Sequence, residues 1–351
     1  MVVVERMLQL LQHGSFQSTY KYAVLIGIMD LCVEMTSARG WPPQVLTTRQ
    51  LAEKVVALYW PQVRAWDGGR LAQTRNRDAA IPKAVAALRD AATAEVSAGA
   101  GVGRVAAAMP KRYAATVDAV ELRLVTQPLP RLQRINGEDT GWLYDIAWDL
   151  DHLPTAGQIR RRDFDNRLHL RPDVATTFAR LHGLLRPFVE EAWARHVARV
   201  NALEQDRLRQ FLFGASRADL EPVRAPLLDL QAGRCFFCED RLTAKAAVVD
   251  HFIPWSRHPD NGLENLVVAH ADCNNHKRDH LAAAPHVARW RARDPDALAQ
   301  LAAAHRWEAP HDRTLGAARG LYLGLPEGSR LWLEGRTFER VDPRALRPLL
   351  R

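Results

Sequence analysis

The stretch Cys235–Lys277, CFFCEDRLTAKAAVVDHFIPWSRHPDNGLENLVVAHADCNNHK, carries the most information in the chain. It opens with a Cys-x-x-Cys pair, Cys235 and Cys238. A short apolar run then ends in Asp250-His251, and a His-x-x-Cys-Asn segment closes it at His270, Cys273 and Asn274. This order of groups can build one zinc knuckle and one hydrolytic metal site. Two thiolates on a tight turn suit tetrahedral zinc, and His270 with Cys273 can supply the opposite pair. His276 and His280 are rival fourth ligands, and three protein ligands with a water is a further alternative. The segment between the pairs is too short to bury a self-sufficient core. Zinc, worth roughly 10–16 kcal/mol of apparent binding free energy in small knuckles, offsets that deficit.

Between the thiol pairs, VVDHFIPWS at 248–256 reads as a strand stopped by Pro254. Asp250 offers a hard oxygen ligand to Mg²⁺ or a similar ion. His251, with an ordinary pKa near 6.5, can take a proton from water at neutral pH. A helix is expected to start near Asn274, with Asn274 and Lys277 on one face. Asn274 can give a neutral oxygen to the metal or cap the helix. Lys277 and Arg278 are candidate phosphate contacts, and for Lys277 a solvated surface charge is an equal alternative. Asn265 is placed to fix the loop that carries His251 by backbone hydrogen bonds.

These residues resemble the HNH endonuclease family, in its branch with a zinc knuckle. The shared pattern is CxxC, a strand ending DHxxP, an NL loop and xxCNxxK. The resemblance implies a ββα-metal fold in which a hairpin and a helix hold one divalent ion. It implies Asp250 and Asn274 as ligands of Mg²⁺ or Mn²⁺, His251 as the base that activates water, and Asn265 as the middle Asn of the motif. It implies cleavage of phosphodiester bonds, leaving a 5′ phosphate. His270 replaces the commoner third Cys. Asn274 stands where some branches carry a final His, which favours hard, oxygen-preferring ions. The whole chain also looks like stand-alone bacterial HNH proteins of restriction or anti-phage defence.

Outward from this core, 351 residues suit two or three domains. The expected class is a mostly α multidomain protein with a small embedded, zinc-stapled ββα-metal module and a C-terminal β-hairpin. The predicted divisions are a helical region at 1–130, a linker and helical middle at 131–220, the nuclease module at 221–285, and C-terminal helices and hairpin at 286–351. Helices are read at 19–36, 46–62, 78–95 and 102–122, with AGAGVG (98–103) as a break. The first two form either a plain helical pair or a helix-turn-helix DNA reader. The run 128–158 reads as a linker with a turn at Asn136-Gly137. The Arg-rich 158–171 reads as a solvated loop. In 172–213, Pro187 is expected to start a new helix, with Phe178, Leu181, Leu185, Phe188, Trp193 and Val197 facing inward.

A net charge of +8 supports polyanion binding. Hydrophobic residues at 47% and charged residues at 25% are those of a globular protein. No apolar run is long enough for a membrane helix, and the N-terminal segment lacks the pattern of a secretory signal. The clustering of Cys235, Cys238 and Cys273 is metal-site usage and suits a reducing cytosol. Cys32 reads as a small buried apolar residue. The expected partner is DNA, double-stranded, cut by a homodimer or by two nicks, with a defence-system protein as a further partner. A non-catalytic zinc-stapled DNA-binding module and an RNA- or tRNA-cleaving nuclease are the competing readings.

Overall fold

The computed structural model describes residues 2–75, 79–97, 99–204, 206–214 and 220–351. The chain opens with α1 (Val2–His13) and α2 (Tyr20–Glu34). Strand β1 (Val45–Thr47) leads into α3 (Thr48–Gln62), and the hairpin β2 (Ala65–Trp66) and β3 (Gly69–Arg70) precedes α4 (Ala80–Glu95). Then come α5 (Val102–Ala108), α6 (Pro110–Thr126), the hairpin β4 (Arg134–Ile135) and β5 (Glu138–Asp139), β6 (Tyr144–Asp145), α7 (Ala156–Arg161) and β7 (Arg167–Leu170). The long α8 (Val174–Asn201) is followed by α9 (Asp206–Phe213) and α10 (Glu221–Leu230). Strands β8 (Ala247–His251) and β9 (Leu266–His270) run into α11 (Ala271–Lys277). Helices α12 (Ala284–Arg291), α13 (Pro295–His305) and α14 (His311–Leu323), the hairpin β10 (Arg330–Glu334) and β11 (Thr337–Arg340), and α15 (Pro343–Leu349) complete the chain. The fold is thus mostly α with small antiparallel sheets, a ββα module and a C-terminal hairpin, as expected. Residues 78 and 98, at the edges of two sequence readings, lie outside the described residues.

The chain forms two compact units. One comprises Met1–Cys32, Pro42–Ala98 and Met109–Ser216; the other comprises Val33–Trp41, Gly99–Ala108 and Arg217–Arg351. In the first unit α3 packs on α4, α6 and α9, and α8 packs on α1 and α9. A three-stranded antiparallel sheet in the order β1-β7-β6 flanks these helices, with Leu46 opposite Leu168 and Tyr144 opposite Leu170. A buried polar network crosses the core: Asp30 accepts from His182 at 2.8 Å and from Arg186 at 2.9 Å.

Several sequence expectations change here. A strand, β1, precedes α3, and α3 buries more than half of its circumference, from Leu51 and Val55 to Tyr59 and Trp60, with Glu53 on the exposed side. That wide buried face makes it a helix of the core. The 128–158 run is no linker. The Gln133 side chain is buried and accepts from the Leu143 and Tyr144 amides, and the Trp148 indole donates to Val125 O. The turn at Asn136-Gly137 is present, with both residues at positive φ. The 158–171 segment is ordered by a capping box between Thr155 and Gln158 and then by β7. Helix α8 runs unbroken through Pro187. Burial of Phe178, Leu185, Val189, Trp193 and Val197 around it offsets the lost backbone bond. Leu181 and Phe188, expected inside, are exposed together with Leu184.

In the second unit, α10 packs against β8, β9 and α13. An aromatic cluster ties the C-terminal helices and hairpin to the Cys235–Cys238 turn. Phe252 stacks on Trp290 at 4.9 Å, and Phe237 meets Trp332 edge-on at 5.2 Å. Arg289 donates to the carbonyls of Phe236 and Phe237 at 2.7 and 3.0 Å. The backbones of Leu281 and Ala283 bracket Trp332 of β10, extending the surroundings of α11 into the hairpin. No helix among the described residues is long and apolar enough to cross a membrane.

Candidate metal centre and active site

The four soft donors come together. Ligand atoms of Cys235, Cys238, His270 and Cys273 all lie within 4.8 Å of one another. Tetrahedral zinc, with thiolates about 2.3 Å away, needs donors of this kind at spacings of roughly 4 Å. The local backbone explains the convergence. Cys235 N–H bonds Asp240 O at 2.9 Å and Glu239 N–H bonds Cys235 O at 3.0 Å, which closes the tight turn. Phe236 N–H bonds Val268 O at 2.9 Å, fastening that turn to β9. His270 ends β9 and Cys273 sits in the first turn of α11, so one strand-to-helix junction delivers the second pair. His270 Nδ1 lies 3.3 Å from Cys238 Sγ, while its Nε2 lies 3.2 Å from Arg241 O. The carbonyl thereby sets the tautomer and leaves Nδ1 free to ligate. The rivals His276 and His280 are outside the cluster, and His280 packs against Phe338 at 4.8 Å. The donor set fits structural zinc.

Asp250 and His251 end β8, paired with Val267 and Leu266 of β9. Adjacent strand residues point to opposite faces, and the chain reverses just after them. Asn265, fully buried in the turn Leu263–Asn265, holds that reversal. Its carboxamide accepts from Ile253 N at 2.8 Å and donates to Ile253 O at 3.1 Å and Asp260 O at 3.0 Å. Its own carbonyl accepts from Phe252 N at 2.7 Å. These contacts join Asn265 to the backbone of the loop that follows His251.

His251 is half-buried, with its ring edge-on to Trp255 at 5.3 Å. Nε2 lies 2.8 Å from the Asn261 side-chain oxygen. That oxygen accepts, so Nε2 carries the proton and Nδ1 holds the free lone pair. Burial, opposed by the Asn261 bond and by the charges of Asp250 and Asp260, holds the imidazole pKa below its ordinary 6.5. The ring is therefore neutral at neutral pH, as a base must be.

Lys277 departs from expectation. It is fully buried, neither solvated nor open to a phosphate. Its ammonium lies 3.0 Å from Asp250 Oδ2 and donates to His251 O at 2.8 Å. A lysine of this length on α11 can satisfy its charge only by reaching back to β8, and it staples helix to strand. Asp250 Oδ2 is thus buried with the Lys277 ammonium as its compensating charge. Asn274, half-buried, lies one turn before Lys277 on the helix. Arg278 is exposed past the helix end at φ 50°, its side chain folded onto Asn275 O.

Sequence reasoning missed Asn261, the partner of His251, and Trp307, whose indole donates to Asn261 O at 2.7 Å. It also missed Asp260, which accepts from Gly262 N at 3.0 Å and Thr314 at 2.9 Å and pairs with Arg313 at 2.6 Å. Nothing in the run Pro259–Gly262 beyond a turn signal marks these roles, because the partners lie far along the chain.

A ββα hairpin–helix with a Cys3His cluster defines the class, and residues 235–283 match the family model described as HNH endonuclease. Residues 3–212 match the model described as Domain of unknown function (DUF8808). That match spans more than half of the chain, so the chain belongs to the DUF8808 family and carries an HNH endonuclease module after that domain. Comparison with curated proteins and with solved structures gives no match.

Proposed function

We propose that the protein is a metal-dependent endonuclease that hydrolyses phosphodiester bonds of DNA. One observation carries this reading: the Asp250-His251 pair ends a strand of a ββα hairpin stapled by a Cys3His cluster, with a neutral imidazole fixed in one tautomer by Asn261. His251 Nδ1 takes a proton from a water, whose oxygen attacks phosphorus; the bond to the 3′ oxygen breaks, leaving a 5′ phosphate. Mg²⁺ or Mn²⁺ held by Asp250 and Asn274 would polarise the phosphate and stabilise the leaving oxygen. Asn265 and Lys277 act through position: the first fixes the reversal after His251, the second ties α11 to β8. The net charge of +8 favours a polyanionic substrate. With one such site among the described residues, a double-strand break takes two copies or two successive nicks.

Supercoiled plasmid, single-stranded DNA and RNA, each incubated with Mg²⁺ or Mn²⁺, test the reading. Wild type should nick plasmid, and His251→Ala should lose at least about a hundredfold of the rate, the scale of a lost general base. Equal nicking by both proteins removes the mechanism; cleavage of RNA alone moves the substrate.

A further inference from the structure

Outside the nuclease module, the first unit contains a cavity of about 190 Å³ lined by Phe16, Arg75, His196, Arg199 and Val200. We propose that this cavity is a binding site for a phosphate monoester, gripped by Arg75 and Arg199 beside His196 and Phe16, and borne by a nucleotide or a nucleic-acid 5′ end.

Four features support it. Both arginines are exposed, and neither has an acidic partner among the described residues. Planar guanidinium forks match phosphoryl oxygens with paired, charge-assisted hydrogen bonds. His196, on α8, is only 4% exposed, and its Nε2 has no hydrogen-bond partner among the described residues. A buried polar nitrogen of that kind costs free energy until something satisfies it.

The surrounding field is positive. Burial, then Arg199 and Arg75, push the His196 imidazole down to about 4, and burial, then Arg134 and Arg131, push neighbouring Lys21 down to about 8. Cations this close repel each other, and a dianion among them relieves that repulsion.

The cavity's size limits the ligand. Pockets that bury a whole drug-sized ligand run to about 300–1,000 Å³, so this one takes a single phosphoryl head. Phe16 is held by Tyr22 stacked on it at 4.3 Å, and Tyr22 also meets the edge of His196 at 5.8 Å. The wall is therefore rigid on its aromatic side. A monoester dianion fits a partly enclosed site better than a diester, which carries a sugar on both sides. The site stands whether or not the nuclease reading holds.

The test uses the full-length chain without added divalent cation, so that binding is read apart from cleavage. Short single strands labelled at the 3′ end, with either a 5′ phosphate or a 5′ hydroxyl, are titrated by fluorescence anisotropy. The phosphorylated strand should bind about tenfold tighter, the scale of one charge-assisted contact. The double substitution Arg75→Gln, Arg199→Gln should abolish that preference without lowering the melting temperature, because both side chains are exposed. Inorganic phosphate competing as well as the phosphorylated strand, at matched ionic strength, assigns the site to small phosphates. Weaker competition assigns it to nucleic-acid ends. Equal affinity for the two strands with no competition by inorganic phosphate overturns the proposal, as does a preference that survives the double substitution.

Discussion

His251 shows how much one ring depends on residues that share no motif with it. Asn261 decides which nitrogen is basic, and Trp307 holds Asn261 by its backbone. Burial makes the imidazolium form costly, so the folded pKa lies below 6.5. The sign follows directly: the base works when neutral, its neutral fraction grows with pH, and a lowered pKa moves the acidic limb of activity downward. The pH profile of plasmid nicking should therefore be flat near neutrality and fall only below pH 6.5. A midpoint above that value would show a base other than this buried histidine. Lys277 gives the complementary case. Its type and helical spacing are visible in sequence, but only the packing of α11 on β8 turns it from a surface charge into a buried strut.

At the scale of elements, the ββα module is held by two devices that replace a large core. The first is the Asn265 carboxamide, which satisfies three backbone groups of the reversal at once. Asn265→Ala leaves those buried groups without partners and should cost about 3 kcal/mol or more, measured by denaturant unfolding. A cost below about 1 kcal/mol would mean that water replaces the side chain. The second device is the Cys3His cluster. Metal analysis should find zinc bound to the chain, and Cys238→Ser or a strong chelator should lower the melting temperature of the second unit. Cys238→Ser protein that melts like the wild type and retains full zinc would remove Cys238 from the ligand set. Both devices were largely legible in sequence. Paired Cys and His have few uses at that spacing, and an Asn before a strand is a frequent turn-former. The Asn261–Trp307 and Asp260–Arg313 links were not legible, because their partners lie some fifty residues away and no local pattern encodes the pairing.

At the scale of the whole molecule, the two units are not consecutive in sequence. The segments Val33–Trp41 and Gly99–Ala108 belong with the C-terminal 217–351. Gly316 and Gly320 of α14 make room for the first of these. A Cβ on Gly316 would lie 1.7 Å from Glu34 O, and one on Gly320 2.7 Å from Val33 O. Gly316→Ala must push α14 off that backbone and should cost at least about 1–3 kcal/mol, read as an earlier transition of the second unit. An unchanged transition would mean that the 33–41 segment contributes little to it. By itself the sequence determined the helical class, the C-terminal hairpin, the metal-binding donors and the residues of the HNH motif, because hydrophobic period, turn residues and ligand spacing are local properties. The tertiary structure alone decided which segments share a unit, that α3 lies in the core and that α8 runs through Pro187. It alone showed that Lys277 is buried and that Asn261 sets the tautomer of His251. These depend on contacts between residues distant in the chain, whose energies exist only once the fold has brought them together.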